Sequence, residues 1–552
     1  MCAPLWKADN EGRWEGGPMK KRIDFLIAGC LAGLVLIALA EATPQLFSQN
    51  AAHTSISSAE SDAKSAEATE LRIRRIGNAI DPVELKKGEA PVRLDIEKVM
   101  KLYNVPGLSV AVIEDYKIAW VKSYGVTEPG GTVPVTPKTL FQAGSISKPV
   151  AAAGMLALVQ EGKLSLDEDV NQKLKSWKVP ENEFTKEQKV TLRRLASHSA
   201  GLTVHGFPGY DVDEKVPTLV QIFNGEKPAN TAPIRVDFVP GSDERYSGGG
   251  ITIEQQLMID VSGKQFPALM KETVLDKIAM SDSSYEQPLP PARAALTAGG
   301  ARGDGKLVHG KWHVYPEMAA AGLWTTPTDL AKFAIEIALS KQGKSNKVLT
   351  QKTVEEMLTL QSKDFGIGFG LTKDHPGEFG HNGADEGFQA LLVMNYDTGQ
   401  GAALMANSDN GNLAAAEVLH SIAKDYGWKY VEKRGPFAEL MLTAKLGGTD
   451  AVLQKYDELK SSGDAKNRPP EFALNALGYD SLGNGKTDDA IRIFQKNAGE
   501  FPDSSNVYDS LGEAYAAAGK KELAIENYEK SVKLNPKNQN GIDRLKKLKD
   551  QQ

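Results

Sequence analysis

The chain has 552 residues, 41% of them hydrophobic and 25% charged, the balance of an ordinary globular protein with room for about two to four domains. Its net charge of -6 excludes the basic footprint of a nucleic-acid binder. The only cysteines are Cys2 and Cys30, so a mature form starting after Ala42 has no disulfide, thiol nucleophile or thiolate metal site.

The first element reads as a signal peptide or an anchor. MKKR (Met19–Arg22) is cationic, Phe25–Ala40 is an unbroken apolar run, and ALA at 38–40 or AEA at 40–42 offers small residues for a signal peptidase. Residues 1–42 are therefore expected to export the chain to the periplasm or to tether it to a membrane, with IAGC (Ile27–Cys30) raising lipidation as a third fate. Residues 43–79 are expected to form a flexible linker, because Thr43–Thr69 is rich in Ala, Ser, Gln and acidic residues.

Globular patterning begins near Ile80. LSVAVIED (Leu108–Asp115) and YKIAWVKSYG (Tyr116–Gly125) predict two strands with a tight turn near Glu114 and Asp115. A helix is predicted from about Ser145 to Gln160, with Gly162 as its stop and Pro149 near its first turn, where a missing N–H costs little. Leu166–Leu360 reads as helical and loop-rich. Strands return at GFQALLVMNYD (Gly387–Asp397) and AALMANS (Ala402–Ser408) around the turn TGQG, and Ala414–Gly427 predicts a closing helix. Early strands, a helical middle and late strands imply one α/β (α+β) body over 80–430. Its antiparallel sheet comes from both ends, the middle forms a helical lobe, and a pocket lies between.

The tail repeats itself. Leu477, Gly478, Ala490, Phe494 and Pro502 recur at an offset of 34 as Leu511, Gly512, Ala524, Tyr528 and Pro536. That period, with small residues where paired helices touch, resembles the tetratricopeptide repeat and implies an all-α domain over 471–550, with a capping helix at Asn540–Asp550. Residues 431–470 read as connecting helices, with Phe437–Ser461 as a degenerate third pair. Such arrays imply a protein partner.

QAGSISKP (Gln142–Pro149) places Ser145 and Lys148 three residues apart, on one helix face. A serine nucleophile needs a base within reach and donors for the oxyanion, and a buried lysine near another cation loses basicity. FQAGSISK (Phe141–Lys148) resembles the active-site start of the serine β-lactamase and penicillin-binding protein superfamily, in its class C-like branch. The resemblance implies a β-lactamase-like fold and two further motifs in order. PGSDERYSGGG (Pro240–Gly250) supplies Tyr246, which the resemblance pairs with Lys148 as general base and acid, and whose pKa a neighbouring lysine is expected to lower towards neutrality. Ser247 is taken as substrate-binding. Gly248 stands where the family's common form has Asn, which argues against β-lactam specificity. FGHNGADEGF (Phe379–Phe388) supplies four substrate-binding residues: His381, Asn382, Gly383 and Ala384. The resemblance implies that His381 polarises the substrate or the Tyr246 oxygen, that Gly383 lets substrate approach closely, and that the N–H groups of Ala384 and Ser145 form the oxyanion hole.

Two further segments resemble the family, Val190–Leu202 and Ala320–Phe333; both read as structural, which leaves His198 out of the catalytic set. No metal or cofactor is expected: the histidines are scattered, no H-E-x-x-H occurs, and GGARGDGK (Gly299–Lys306) is a glycine-rich turn without a phosphate-loop pattern. The expected protein is an exported serine hydrolase acting through an acyl-enzyme on small-molecule or peptide esters or amides. The alternative is a catalytically weak sensor or scaffold that binds a protein through its repeats.

Overall fold

The computed structural model describes residues 65–429, 431 and 434–550. The expected export or anchor segment, and the linker as far as residue 64, lie outside the described residues. Among the described residues no helix is long and apolar enough to cross a membrane.

The sheet follows from near-continuous apolar runs, as strands covered on both faces require. Gly107–Glu114 (β1) and Lys117–Gly125 (β2) form a hairpin in which Glu114 pairs with Lys117. Asp115 and Tyr116 turn the chain with φ of 49° and 59°, the left-handed pair that suits a two-residue hairpin. Gly370–Leu371 (β3), Glu378–Asp385 (β4), Phe388–Asn395 (β5) and Gln400–Ala406 (β6) complete an antiparallel sheet in the order β2-β1-β6-β5-β4-β3. The first and last strands of the domain thus meet at β1–β6, where Val110 pairs with Leu404.

Both faces of the sheet are buried. Ala111, Leu392 and Ala403 face the helical lobe, in one core with Ser147–Gln160 (α1) and Pro327–Lys341 (α3). Leu391 and Leu404 alternate to the other face, where Gly411–Tyr426 (α4) packs on β5 and β6. Helix α1 is buried almost all round, as its run VAAAGMLAL requires. Gly248–Ser262 (α2) packs against it.

The predicted linker is corrected at its end: residues 65–77 are helical. The Ala, Glu and Arg that made the segment look like a spacer are also strong helix formers. The end of that helix is docked, since Ile76 is buried and its carbonyl accepts the Ser421 hydroxyl at 2.7 Å. A short hairpin follows, Ile80–Val83 with Val92–Leu94. Its Asp81 pairs with His420 at 2.9 Å and Lys424 at 2.8 Å on α4.

The tail is helical throughout. Pro436–Ser461 (α5) is interrupted at Gly448, whose φ of 70° and ψ of -166° break it into two segments. Glu471–Gly483 (α6) with Thr487–Glu500 (α7), and Ser505–Ala517 (α8) with Lys521–Leu534 (α9), are the two repeats, and Gln539–Asp550 (α10) follows. The repeated glycines have a steric cause. A Cβ at Gly478 would lie 2.4 Å from the Phe494 ring, and one at Gly512 would lie 3.2 Å from the Tyr528 ring. α5 joins this array to the body through Arg434, which bonds Glu417 on α4, Glu439 on α5 and the Asp81 carbonyl.

Candidate active site

The turn that carries Ser145 is built on glycine. Gly144–Ile146 is a single 3-10 turn leading directly into α1, and Gly144 has φ of 50°. Backbone approaches backbone here. A Cβ at Gly144 would sit 2.5 Å from Ala384 N, and one at Gly383 would sit 1.8 Å from Ala143 O and 3.2 Å from Ser145 N. The expectation that Gly383 makes room for substrate is therefore corrected, because the space beside its Cα holds the turn that carries Ser145. The same contact brings Ala384 and Ser145 side by side. The neighbouring Asp385 is buried close to the Gly144 N–H.

Ser145 is partly exposed and its hydroxyl lies 2.8 Å from Lys148 Nζ, which donates at 2.7 Å to the Ala320 carbonyl. Lys148 is 3% exposed. Burial brings its pKa down to about 7, against the opposing pull of Asp385. The expected cationic neighbour is not needed: desolvation does the work.

The Tyr246 phenol lies close enough to the Ser145 hydroxyl for its pKa to feel it, and its ring lies 5.0 Å from Lys148 Nζ. Three distant stretches, at 145–148, 246 and 381, thus converge on one place. The expected lowering of the Tyr246 pKa is corrected. Burial raises it above the ordinary phenol value, and the nearby Ser145 hydroxyl only partly offsets this. A lysine that is itself close to neutral supplies little charge to hold a phenolate.

His381 lies 6.1 Å from Tyr246, ring to ring, and is buried. Desolvation first, and Lys148 second, bring its pKa down to about 3, so it is neutral. Its Nδ1 lies 2.5 Å from the Asn382 carbonyl and therefore carries the proton, which leaves Nε2 buried as an acceptor. His381 in this tautomer accepts a proton-bearing group and does not polarise an oxygen as a donor. The side chains of Asn382 and Ala384 are exposed and alternate with the buried His381 and Gly383. Ala384 meets the site through its backbone alone.

Ser247 is also corrected. Its hydroxyl caps α2, accepting from Gly250 N at 3.0 Å and donating to Thr203 O at 2.8 Å, and the residue is 3% exposed. Both capacities are spent on structure.

Two partners come from segments read as structural. His198 stacks on Tyr246 at 4.2 Å, and its Nδ1 accepts the Ser247 N–H at 3.2 Å, which puts its own proton on Nε2. Burial, before the fields of Lys148 and His381, holds its pKa well below the usual value. A neutral imidazole thus braces the phenol. Ala320 supplies the carbonyl on Lys148, and Leu323 grips the same turn, its N–H on Ser147 Oγ at 3.0 Å and its carbonyl on Ala143 N at 2.9 Å. The family likeness of both segments was the available signal; a lone backbone carbonyl carries none.

Comparison with known proteins identifies the family and the fold. The family model described as Beta-lactamase matches residues 92–426, and the one described as Tetratricopeptide repeat matches residues 505–538. A protein named Beta-lactamase from Pseudomonas fluorescens is 29% identical over 241 residues, covering 43% of this chain and 61% of that protein. One named Unguisins hydrolase ungD' from Aspergillus campestris is 29% identical over 206 residues, 36% of each chain. Protein flp from Staphylococcus aureus is 19% identical over 315 residues, covering 56% of this chain and 61% of that protein. The chain spans less than two thirds of the length of these relatives. Among solved structures, a penicillin-binding protein homologue from Pyrococcus abyssi shares the fold, with a TM-score of 0.53 and 23% identity over 62% of this chain and 78% of that one. With more than half of its length matched, the chain belongs to the beta-lactamase family and carries a tetratricopeptide repeat behind that domain.

Proposed function

We propose that the protein is a serine hydrolase that cleaves an ester or amide through an acyl-enzyme. One observation carries the reading: a partly exposed serine hydroxyl lies 2.8 Å from a buried lysine amine whose pKa is near neutrality. The Ser145 oxygen attacks the substrate carbonyl as its proton passes to Lys148 Nζ. The N–H groups of Ser145 and Ala384 meet the developing oxyanion. Lys148, through Tyr246, returns the proton to the leaving group as the bond to the acyl carbon breaks. Water then attacks the acyl-enzyme by the reverse proton route and releases the acid. His198 and His381, both neutral, keep the site free of a second cation.

The substrate is a small molecule or peptide. Gly248 and the His-x-Gly strand favour an ester or a D-amino-acid or peptidoglycan-like amide over a β-lactam. A serine-reactive phosphonate should add one adduct to the intact protein, mapped to Ser145 by peptide mass; an unmodified chain would favour the scaffold reading. For a neutral ester, kcat/KM should fall as pH drops below about 7, because Lys148 then holds a proton and cannot take the one on Ser145. A profile flat from pH 5 to 8 would remove Lys148 from the role of base.

The N-terminal pattern supports an extracytoplasmic site of action. N-terminal sequencing of the mature protein tests it, and an intact leader on cytoplasmic protein would count against it. The repeats support a protein partner as a second function. Tyr479 is exposed on the first repeat and donates to Glu513 on the second at 3.0 Å; Tyr479→Ala together with Glu513→Ala should weaken binding to a purified partner, and equal affinity would argue against the face these two residues mark.

A further inference from the structure

The segment from Thr203 to Phe207 runs beside Tyr246 and has no part in the proton route. It is tied down residue by residue. Ser247 Oγ donates to the Thr203 carbonyl at 2.8 Å, Gly249 N to Val204 at 3.1 Å and Gly248 N to His205 at 2.9 Å. Three successive carbonyls can point at one helix start only if the chain bends sharply. Val204 bends with φ of 65°, a left-handed conformation that β-branched residues rarely adopt. Strain of this kind is kept where the surroundings impose it, and it gathers at functional sites.

The bend brings His205 to Tyr246 and Phe207 to Gly248, two residues on from that tyrosine. His205 lies 4.8 Å from Tyr246, and its imidazole is engaged with the Tyr246 backbone. Phe207 is pressed against Gly248. A Cβ built on Gly248 would lie 3.1 Å from the Phe207 ring and 3.1 Å from the His205 carbonyl. A polar side chain at 248 would therefore have to displace that ring. Ser247, next to it, has already spent its hydroxyl. This wall of the cleft consequently offers an aromatic surface and no side-chain donor or acceptor at 247 or 248. Phe207 is only partly buried, so part of its ring is left to contact a bound molecule.

We propose that Phe207 is a specificity-determining residue that receives an apolar, and preferably aromatic, substituent on the acyl part of the substrate. The proposal rests on the hydrolase reading above. A ring on this wall gains from burial of a matching apolar group, and it leaves a polar substituent without a partner.

The test compares kcat/KM for p-nitrophenyl phenylacetate and p-nitrophenyl acetate in the full chain, so that the common leaving group cancels. In Phe207→Ala the phenylacetate-to-acetate ratio should fall about tenfold or more, and in Phe207→Leu by less, since an apolar side chain remains. Labelling of Ser145 by the phosphonate is measured on each variant. A labelled Ala variant whose ratio stays at the wild-type value overturns this proposal alone. A wild-type protein that neither labels nor turns over either ester overturns the hydrolase reading and this proposal with it.

Discussion

Ser145→Ala should lower ester turnover on the order of 10^6-fold, to the level left by binding and oxyanion contacts, when initial rates are followed by nitrophenol release. Lys148→Met should cost about 10^2 to 10^4-fold, because the hydroxyl remains but its proton has no acceptor of suitable pKa. The pair should not add. With the nucleophile gone the base has nothing to activate, so the double variant should be no slower than Ser145→Ala by itself. Additive losses would show that the two residues act in separate steps, and turnover that survives in Ser145→Ala would remove the nucleophile from the mechanism. Melting curves distinguish chemistry from folding. Lys148 also holds the Ala320 carbonyl, so Lys148→Met should soften the turn as well, whereas Ser145→Ala should not.

Arg434→Ala should destabilise the protein by about 3–5 kcal/mol, read from the midpoint and slope of urea unfolding. Its guanidinium is 7% exposed and grips Glu417, 4% exposed, with two bonds at 2.7 and 2.6 Å. It reaches Glu439 at 3.0 Å and the Asp81 carbonyl at 2.8 Å. Removing it leaves Glu417 charged, buried and unanswered. The cost thus comes from an uncompensated carboxylate more than from the lost attraction, and this has a consequence. Arg434→Met combined with Glu417→Leu should recover much of the loss, since no naked charge remains. A single variant that loses less than about 1 kcal/mol would place this cluster with exposed ion pairs.

The first hairpin and the repeat period were legible because each rests on local rules. Two β-branched, apolar runs and a left-handed turn define β1 and β2, and the 34-residue offset that repeats Gly478 as Gly512 reports a helix pair whose rings must pass over a bare backbone. The helix at 65–77 was missed because Ala and Glu serve a coil and a helix equally until a docking surface such as Ser421 decides. The three site segments were legible as residue types in order. Their proton states were not. Whether Tyr246 is raised or lowered depends on what covers it, and His198 and Phe365 arrive from about fifty residues before it and over a hundred after it. Ser247 failed for a related reason: next to the candidate Tyr246 it looks functional, yet as the residue before three glycines it is needed to start a helix.

The Arg434 cluster also governs how the two halves of the molecule act together. Had the repeats hung from a slack tether, anything they captured would roam a sphere, and its encounter with Ser145 would depend on tether length. A buried guanidinium bolted to α4, α5 and Asp81 removes that freedom. Under the proposal that the repeats bind a partner, any cargo would approach the cleft on a mount that is held as far as the first segment of α5, before its break at Gly448. Either its scissile bond falls within reach at very high local concentration, or it never arrives and only freely diffusing molecules are cut.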